Sequence, residues 1–517
     1  MSDGTPLPAG WTWASLGELL IGIEAGKSFK CQERPPHAYE VGVVKVSAVT
    51  WGEYQELESK TCTDTEMVNP ALFIQAGDLL FSRANTIELV GACVIARHVT
   101  LPLMLSDKIL RLKLARDSMK RWVLYLLRSD QGRRQIEALS SGNQESMRNI
   151  GQERIAQIRV PLPPFAEQTR VVEKLEELLS DLDAGVVELK AAQKKLALYR
   201  QSLLKAAVEG ALTADWRARR AARGEALETG AELLARILIE RRARWEARQL
   251  AKFKEQGKTP PKGWQAKYPE PIQPDTSRLP TLPSGWTWAT IDQLAVVVRG
   301  ASPRPAGDPR YFGGSIPWIT VGSLTCDDGI YLDEVDLFVT EAGKSASRYI
   351  EPNTLLLTNS GATLGVPKIT RIGGCINDGS VALLDLATEV QLYLYFFLTT
   401  QTAKLRALNQ GAAQPNLNTD IVRRIVVPVC PDAEMRAITE KLTQATLDVK
   451  IQDRNIFQAL RQSNAQRKNL LKAAFSGQLV PQDPNDEPAS ALLARIRAER
   501  AASGHNTRRQ RQKQETP

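Results

Sequence analysis

A duplication constrains this sequence more than any other feature, because it runs along nearly the whole chain. The phrase LPAGWTWASLGELL at residues 7–20 returns almost unchanged as LPSGWTWATIDQLA at residues 282–295. Three further blocks return in the same order: AEQTRVVEKL (166–175) as AEMRAITEKL (433–442), LLKAAVEGAL (203–212) as LLKAAFSGQL (470–479), and AELLARI (231–237) as SALLARI (490–496). The offset falls from 275 to 267 to 259 residues, so insertions separate the blocks. Solenoids repeat every roughly 20–50 residues, so this longer period indicates two copies of a whole module.

Each copy begins with a part that mixes strand and helix signals. Short apolar runs such as VGVVKVSAV (41–49) and GDLLFSRAN (77–85) predict strands, and Gly/Pro-rich turns such as GASPRPAGDPRYFGGSIPW (300–318) separate such runs. RWVLYLLRSDQGRRQIEAL (121–139) and VQLYLYFFLTTQTAKLRAL (390–408) predict helices. A mixed α/β globule is therefore expected in each copy.

The second part of each copy is predicted to be one long helix, because apolar side chains follow the a/d pattern of a coiled coil. In copy one the a positions are Leu175, Leu182, Leu189, Leu196 and Leu203, and the d positions are Leu178, Gly185, Ala192, Tyr199 and Ala206. In copy two the a positions are Leu442, Val449, Ile456, Ser463 and Leu470, and the d positions include the polar Gln452 and Gln466. A helix over residues 166–208 would be about 65 Å long. Its apolar stripe would be covered most simply by the stripe of the other copy, packed antiparallel.

These signals predict an α+β fold, in which two similar mixed α/β domains are separated by two long antiparallel coiled-coil helices as a pseudo-two-fold tandem repeat. The predicted segments, in chain order, are a first globular domain (1–160), a helical region with a helical insert at 213–256 (161–256), a Pro/Gly-rich linker (257–281), a second globular domain (282–428), a second helical region (429–503) and a basic tail (504–517). The tail is expected to be disordered because it is polar throughout.

Composition indicates a soluble globular protein of two to four domains, with 517 residues of which 43% are hydrophobic and 24% charged. No apolar run approaches the roughly 20 residues that span a bilayer. The N-terminus lacks the pattern of a secretory signal, so a cytoplasmic protein is expected. The six cysteines contain no CxxC pair and the three histidines no metal-ligand spacing. This pattern argues against a zinc site, a disulfide framework or histidine catalysis.

The net charge of +9 favours an anionic partner. Residues 1–150 hold 17 basic and 17 acidic side chains, and residues 281–424 hold 11 and 13. Residues 151–280 hold 24 and 18, and residues 425–517 hold 15 and 10, so the excess positive charge lies in the helical segments. Two globules held at a fixed separation suit duplex DNA, whose half-sites recur about one helical turn apart.

Several of these phrases resemble the specificity subunit of type I restriction–modification systems. They are the duplicated LPxGWxW openings, GGSIPWITVGSL (313–324), QPNLN (414–418), VPLPPFAEQ (160–168) and the paired LLKAA helices. The resemblance covers most of the chain, in the family's order of recognition domain, helix, recognition domain, helix. Copy one departs from the pattern, with ESMRNI (145–150) where copy two has AQPNL (413–417), and with VGVVKV in place of the IPW phrase.

The resemblance implies a non-catalytic DNA specificity subunit. Each target recognition domain would bind one half of a bipartite site on double-stranded DNA. The helices would fix the spacer and dock two methyltransferase subunits, and restriction subunits would join through that assembly. No cofactor is implied for this chain, because S-adenosylmethionine, ATP and Mg²⁺ would be bound by the partner subunits.

Base recognition needs Arg, Lys, Asn and Gln side chains on loops. The DNA-binding candidates in copy one are Lys27, Lys30, Arg34, Arg83, Asn85, Lys108 and Arg148. Those in copy two are Arg304, Arg310, Asn359, Lys368 and Gln414. The competing interpretation for each is a solvated side chain or one that contacts only phosphate.

The phrase GIEAGKS (22–28) resembles a phosphate-binding loop, but only three residues separate its glycines where that motif needs four. Copy two has no lysine at the corresponding place, so a turn leading into a DNA-facing loop is the better interpretation. Trp11, Trp13, Trp286 and Trp288 are the same in both copies and cannot carry different specificities. Core packing or a shared docking surface is therefore expected for these four side chains.

Two other functions stay open at this point. A coiled-coil scaffold with two protein-binding globules would explain the repeat. It would not explain why residues 91–114 and 365–384 differ so much, since they share little beyond the match of SD (106–107) with ND (377–378). An enzyme is disfavoured because no NPPY or DPPY phrase and no GxGxxG after a strand occurs. The near-zero charge of the two globular segments predicts weak DNA binding by the isolated chain and tight binding only with the modification subunit.

Overall fold

The computed structural model describes residues 6–37, 39–144, 147–225, 228–361, 363–408 and 417–514. The chain divides into two compact units. Unit 1 comprises residues 1–190 and 456–517, and unit 2 comprises residues 191–455. Each unit therefore contains one globular domain together with helical segments from both copies of the repeat.

The globular domain of unit 1 is built from short strands. They are β1 (Thr12–Ser15), β2 (Leu20–Ala25), β3 (Cys31–Gln32), β4 (Gly42–Val44), β5 (Ser59–Cys62), β6 (Leu79–Ser82), β7 (Ala84–Asn85), β8 (Cys93–Ile95), β9 (Leu103–Met104), β10 (Ile109–Leu114), β11 (Ser141–Gln144), β12 (Met147–Asn149) and β13 (Arg159–Leu162). They form two four-stranded sheets, β2–β10–β6–β8 and β3–β5–β4–β9, a small β11–β12–β7 sheet and a β1–β13 pair.

Four helices complete this domain: α1 (Leu16–Leu19), α2 (Lys120–Arg128), α3 (Asp130–Leu139) and α4 (Gln152–Ala156). The single helix predicted over residues 121–139 is therefore wrong, because the chain turns at Ser129. The Ser129 hydroxyl accepts a hydrogen bond from the Gly132 N–H (3.2 Å) and so caps α3. Gly132 is required at this turn, since a Cβ there would lie 2.1 Å from the Leu126 carbonyl oxygen.

Three helices follow the first domain: α5 (Phe165–Val208), α6 (Ala214–Ala222) and α7 (Gly230–Glu255). The insert predicted at residues 213–256 is thus two helices joined by a break. Thr229 caps α7 in a capping box with Glu232, in which each side chain accepts from the backbone N–H of the other residue.

The globular domain of unit 2 repeats the architecture of the first. Its strands are β14 (Thr287–Thr290), β15 (Val296–Arg299), β16 (Phe312–Ile319), β17 (Tyr331–Leu332), β18 (Phe338–Val339), β19 (Arg348–Ile350), β20 (Leu355–Thr358), β21 (Pro367–Thr370), β22 (Gly374–Ile376), β23 (Ser380–Leu384) and β24 (Val426–Val429). Its helices are α8 (Ile291–Leu294), α9 (Val321–Leu324), α10 (Glu341–Ser345), α11 (Thr388–Leu408) and α12 (Thr419–Arg423). The sheets are β15–β23–β20–β21–β17 and β18–β16–β22–β19, with a β14–β24 pair.

The strand pairings show which segments of the two copies correspond. Strand β4, with the phrase VGVVKV, pairs parallel with β9, and β16, with the phrase IPW, pairs parallel with β22. The two phrases therefore occupy the same place in the two domains although their sequences differ. Strand pairs β1–β13 and β14–β24 also match, with Trp13 opposite Pro161 and Trp288 opposite Pro428.

Two helices close the chain: α13 (Asp432–Phe475) and α14 (Ala489–Gln514). In unit 1, Asp183 of α5 pairs with Arg467 of α13, and side chains on both helices around them line a shallow apolar groove. In unit 2, Lys441 of α13 donates to the carbonyl of Leu212, just beyond α5 (3.2 Å). The first half of α5 thus packs with the second half of α13, and the reverse holds in unit 2, so the helices run antiparallel as predicted.

Fewer side chains are buried along the apolar seam of α5 than the a/d sequence pattern predicts. Leu175 is buried and Leu189 and Leu196 are half-buried, whereas the d-position side chains of Ala192 and Tyr199 are exposed. Alanine has little side chain to bury, and tyrosine carries a hydroxyl that water solvates well. None of the helices in the described part of the chain is long and apolar enough to cross a membrane.

The helices that follow α5 and α13 complete the core of each unit. In unit 1, Leu493 and Ile496 of α14 join the cluster around Trp11. In unit 2, Leu233 and Ile237 of α7 join the cluster around Trp286. The repeated blocks AELLARI and SALLARI are therefore equivalent packing helices.

The tail beyond residue 503 was expected to be disordered, and in the structure residues 504–514 continue α14. Arginine, lysine and glutamine have high helix propensity, so a polar segment attached to a formed helix can extend it.

The predicted Pro/Gly-rich linker has little regular structure but is held against unit 2. Its Trp264 stacks on Trp245 of α7, with ring centroids 5.7 Å apart. The Tyr268 hydroxyl accepts from Arg241 (2.7 Å), and the Ile272 N–H donates to the Asp292 carboxylate (2.9 Å). The linker is therefore held against unit 2 at a few points, with both Trp264 and Tyr268 buried, whereas most of its other residues are exposed.

Candidate nucleic-acid interface

Four segments, two of which contain the short strands β7 and β12, meet at one edge of the unit 1 domain, called here the unit 1 loop edge: residues 26–28, 83–85, 106–108 and 147–149. The Gly26 N–H donates to the Ser106 carbonyl (3.1 Å), and the Ser28 hydroxyl donates to the Asp107 carboxylate. The Arg83 N–H donates to the Lys108 carbonyl (2.9 Å). These bonds join segments that lie up to about 80 residues apart in the chain.

The fourth segment joins through strand pairing. Arg148 of β12 lies directly opposite Asn85 of β7, and the Ile150 N–H donates to the Arg83 carbonyl (2.9 Å). The Arg83 guanidinium donates to the side chain of Asn149 (3.3 Å). Opposed residues of an antiparallel pair project from the same face, so Asn85 and Arg148 present their side chains together.

The structure thus brings five of the seven predicted copy-one residues to the unit 1 loop edge: Lys27, Arg83, Asn85, Lys108 and Arg148. Lys27 and Lys108 are exposed, and the other three are half-buried. Four cations and an amide at one edge can contact DNA phosphates and the acceptor groups of bases.

Lys30 and Arg34 flank β3 and lie outside these four bonded segments. Arg34 forms a two-bond ion pair with Glu40 (2.7 and 2.8 Å), and its hydrogen bonds lower the pKa of the Glu40 carboxyl to about 2. Because its donors are taken up in this way, Arg34 is not placed among the DNA-contacting candidates.

Unit 2 has an equivalent edge, the unit 2 loop edge, formed by residues 300–304, 359 and 377–379. The Ser302 hydroxyl donates to the Asp378 carboxylate (2.5 Å), as Ser28 does to Asp107. The Asn359 N–H donates to the Gly379 carbonyl (2.9 Å), as Arg83 does to Lys108. The same backbone frame therefore recurs in both copies.

Two of the five copy-two predictions lie at this edge. Arg304 is exposed, with its guanidinium 3.5 Å from the Asp378 carboxylate. Asn359 corresponds to Arg83, but its side chain is fully buried and donates to the Asp378 carbonyl (3.2 Å). Gln414 lies outside the described residues.

Lys368 and Arg310 each form an ion pair with an aspartate, Lys368 with a buried side chain and Arg310 at the surface. The Lys368 side chain is 1% exposed, and its ammonium donates to both the carboxylate and the carbonyl (3.1 Å) of Asp327. This hydrogen bond lowers the pKa of the Asp327 carboxyl. Lys368 was predicted to contact DNA, but the structure buries its side chain and does not place it in the segments of the unit 2 loop edge. Arg310 binds its neighbour Asp308 through two nitrogens, which shapes its own loop.

One candidate was missed by the sequence argument. Arg299, the last residue of β15, is exposed and donates to the Asp378 carbonyl (2.9 Å) at the unit 2 loop edge. The repeat contains a signal for it, since VVVRGAS (296–302) is the copy-two counterpart of GIEAGKS (22–28), which was predicted to be a turn leading into a DNA-facing loop.

The repeated tryptophans have structural roles. Trp11 and Trp286 are buried, and the indole N–H of each donates to a buried carboxylate, Glu167 (3.0 Å) and Glu434 (2.9 Å) respectively. The Trp11 ring also makes an edge contact with Trp122, at 5.7 Å between centroids. The prediction of core packing is confirmed for this pair.

Comparison with known proteins agrees with the geometry. Residues 283–460 match the family model described as type I restriction modification DNA specificity domain. The type I restriction enzyme EcoEI specificity subunit of Escherichia coli is 32% identical over 39% of this chain, and the match spans 34% of that relative, about a third of its length. The EcoDI specificity subunit of Escherichia coli is 24% identical over 68% of this chain and 70% of its own.

The fold is also found in solved structures. A chain from a structure on complex assembly and conformational transition of the type I R-M system superimposes with a TM-score of 0.61. That match covers 92% of this chain and 99% of the other at 18% identity, and so concerns the fold alone. The matched specificity domain and the curated relatives show that this chain is similar to type I restriction–modification specificity subunits.

Proposed function

We propose that this chain is the DNA sequence-specificity subunit of a type I restriction–modification complex. The globular domain of each unit binds one half of a bipartite site on double-stranded DNA. The loop edge of each unit faces the half-site, because it carries exposed cations, Lys27 and Lys108 in unit 1 and Arg299 and Arg304 in unit 2, of the kind that contact phosphates and base edges.

One observation carries this proposal: the two loop edges share a backbone frame and differ in chemistry. Arg83 and Asn359 hold equivalent places, as do Lys108 and Gly379. A protein-binding scaffold has no need to vary one copy against the other on a constant frame, whereas a protein that recognises two unlike half-sites does.

The partners follow from the same proposal. The antiparallel α5 and α13 set the length of the spacer between half-sites and dock two methyltransferase subunits, through which restriction subunits join. The chain itself is non-catalytic. S-adenosylmethionine, ATP and Mg²⁺ are bound by those partners, and the complex acts in the cytoplasm.

Sequencing of methylated bases tests the proposal. The chain and its modification subunit are expressed together in a host without other adenine methylation, and a split methylated motif is expected. A host with either protein alone is the control. Methylation by this chain alone, or an unsplit motif, would contradict the proposed role.

Purified proteins give a second test. The lone chain is expected to bind DNA weakly, since residues 1–150 and 281–424 carry almost no net charge and phosphate contacts dominate affinity. Addition of the modification subunit is expected to give tight, sequence-specific binding in a filter assay. Nanomolar specific binding by the lone chain would refute this expectation.

A further inference from the structure

We propose that Asp107 and Asp378 are positioning residues, each of which holds one DNA-facing loop and one cation in register with its half-site. The inference rests on the proposed function and adds to it the device that sets the loop geometry in both units. Neither residue is placed in contact with DNA.

In unit 1 the two oxygens of Asp107 have different partners. Oδ1 accepts the Ser28 hydroxyl, which anchors the loop that carries Lys27. Oδ2 lies 3.5 Å from the Lys108 ammonium. One carboxylate therefore fixes both a loop and a cation.

Unit 2 repeats this arrangement with different residues. Oδ1 of Asp378 accepts the Ser302 hydroxyl (2.5 Å), which anchors the loop that carries Arg304. Oδ2 of Asp378 lies 3.5 Å from the Arg304 guanidinium. The cation comes from the residue after the aspartate in unit 1 and from the anchored loop in unit 2, so the aspartate and serine are the constant part.

The loops are also anchored by a close backbone approach in both units. A Cβ on Gly26 would lie 1.7 Å from the Leu105 carbonyl oxygen, and one on Gly300 would lie 2.0 Å from the Asn377 carbonyl oxygen. Only glycine allows this contact. Each loop thus begins pressed against the segment that carries the aspartate, and the serine two residues later makes the side-chain bond.

Stability alone does not account for the arrangement. The side chains of Asp107 and Asp378 are 47% and 44% exposed, and exposed ion pairs contribute little to folding. A weak contact that recurs at two sites of otherwise divergent sequence is better explained by loop position, because small displacements of a loop change the alignment of its bonds to a base edge.

Matched single substitutions test the proposal. The variants Asp107→Asn and Asp378→Asn are each expressed with the modification subunit. Binding of the complexes is measured on duplexes in which either one half-site or the other is scrambled. Asp107→Asn is expected to lower discrimination at the unit 1 half-site by about five- to tenfold, near the low end of one base contact. Asp378→Asn should do the same at the other half-site only.

Three further variants distinguish an effect on the position of the loop from an effect on the folding of the domain. Ser28→Ala should reproduce the effect of Asp107→Asn, and Ser28→Thr, which keeps the hydroxyl, should restore discrimination. Asp333→Asn breaks an exposed pair with Arg371 (3.2 Å) away from the edge and should change neither half. Melting temperatures show whether each variant is folded.

The outcomes are distinct. Loss confined to the matching half-site supports the proposal. Equal loss at both half-sites, no loss, or failure of Ser28→Thr to restore discrimination overturns it. A wild-type complex that shows no split site would instead overturn the proposed function, whatever the variants do.

Discussion

The buried carboxylates Glu434 and Glu167 occupy equivalent places in the two copies, yet the same substitution should have opposite effects on them. Glu434 is 1% exposed and accepts from the Trp286 indole (2.9 Å), the Thr213 hydroxyl (2.6 Å) and the Arg217 guanidinium. Glu434→Gln removes the negative charge of the carboxylate. It also replaces one of the two accepting oxygens with an NH₂ group, which faces the three donors. It should therefore leave Arg217 without its counter-ion.

The magnitude follows from the burial of the pair. Breaking a buried ion pair costs roughly 3–5 kcal/mol, and the low end applies because the Arg217 side chain keeps 23% exposure. A loss of about 3 kcal/mol lowers the melting temperature of a unit of this size by roughly 6–12 °C.

Glu167 lacks an arginine partner. Its carboxylate accepts from the Trp11 indole (3.0 Å), while Arg170, one turn along α5, pairs with Asp486 (2.6 Å). Burial raises the pKa of Glu167 although the Trp11 hydrogen bond opposes the shift. The fold therefore favours the neutral acid, and unit 1 loses stability as pH rises through the raised pKa.

Glu167→Gln removes this loss, because a glutamine stays neutral and still offers an oxygen to the indole. The variant should be at least as stable as the wild type at pH 7, and its advantage should disappear below the ordinary pKa of a glutamate. Glu434→Gln should be destabilised at pH 7. Thermal and urea unfolding at both pH values measure the effects. Equal shifts for the two variants, or a pH-independent effect of Glu167→Gln, would refute the reasoning.

Two further predictions concern the interface. Arg83→Ala should weaken binding of the complex to the unit 1 half-site and lower the slope of log affinity against log salt by about one. Arg34→Ala removes the pair with Glu40 and the hydrogen bonds to the Pro35 carbonyl and the Thr61 hydroxyl. This variant should stay within about twofold of wild type in a titration across salt concentrations. Lys368→Met removes a buried ammonium and should leave binding unchanged, because Lys368 serves Asp327 inside the domain; loss of binding by a folded Lys368→Met protein would restore it as a DNA contact.

Much of the interface could be predicted from sequence where local pattern decided the outcome. The phrase GIEAGKS was predicted to be a turn into a DNA-facing loop, because its glycine spacing does not fit a phosphate-binding loop and copy two has no lysine at the corresponding place. The segments that bond to this turn and to its copy-two counterpart, SD (106–107) and ND (377–378), were noted only as a short similarity between the two copies. That Ser28 bonds Asp107, 79 residues away, could not be inferred, since hydrogen bonding depends on distances that the fold sets.

The same dependence on the fold explains why Lys368 and Arg34 do not lie at the loop edges. Lys368 looked like a loop cation, but it lies in β21 and is neutralised by Asp327, 41 residues away. Arg34 was expected to be available for DNA, but its guanidinium forms an ion pair with Glu40. The sequence shows which side chains are charged. Whether a charged side chain can contact DNA depends on the residues that the fold places beside it.

The sequence by itself determined the duplication, the order of globular and helical segments, and the burial of Trp11 and Trp286, because periodicity and identity between copies are visible in one dimension. Only the tertiary structure decided that α14 completes the core around Trp11 and α7 the core around Trp286. An apolar stripe specifies that a helix must be covered, and the surface that covers it is chosen by packing among distant segments.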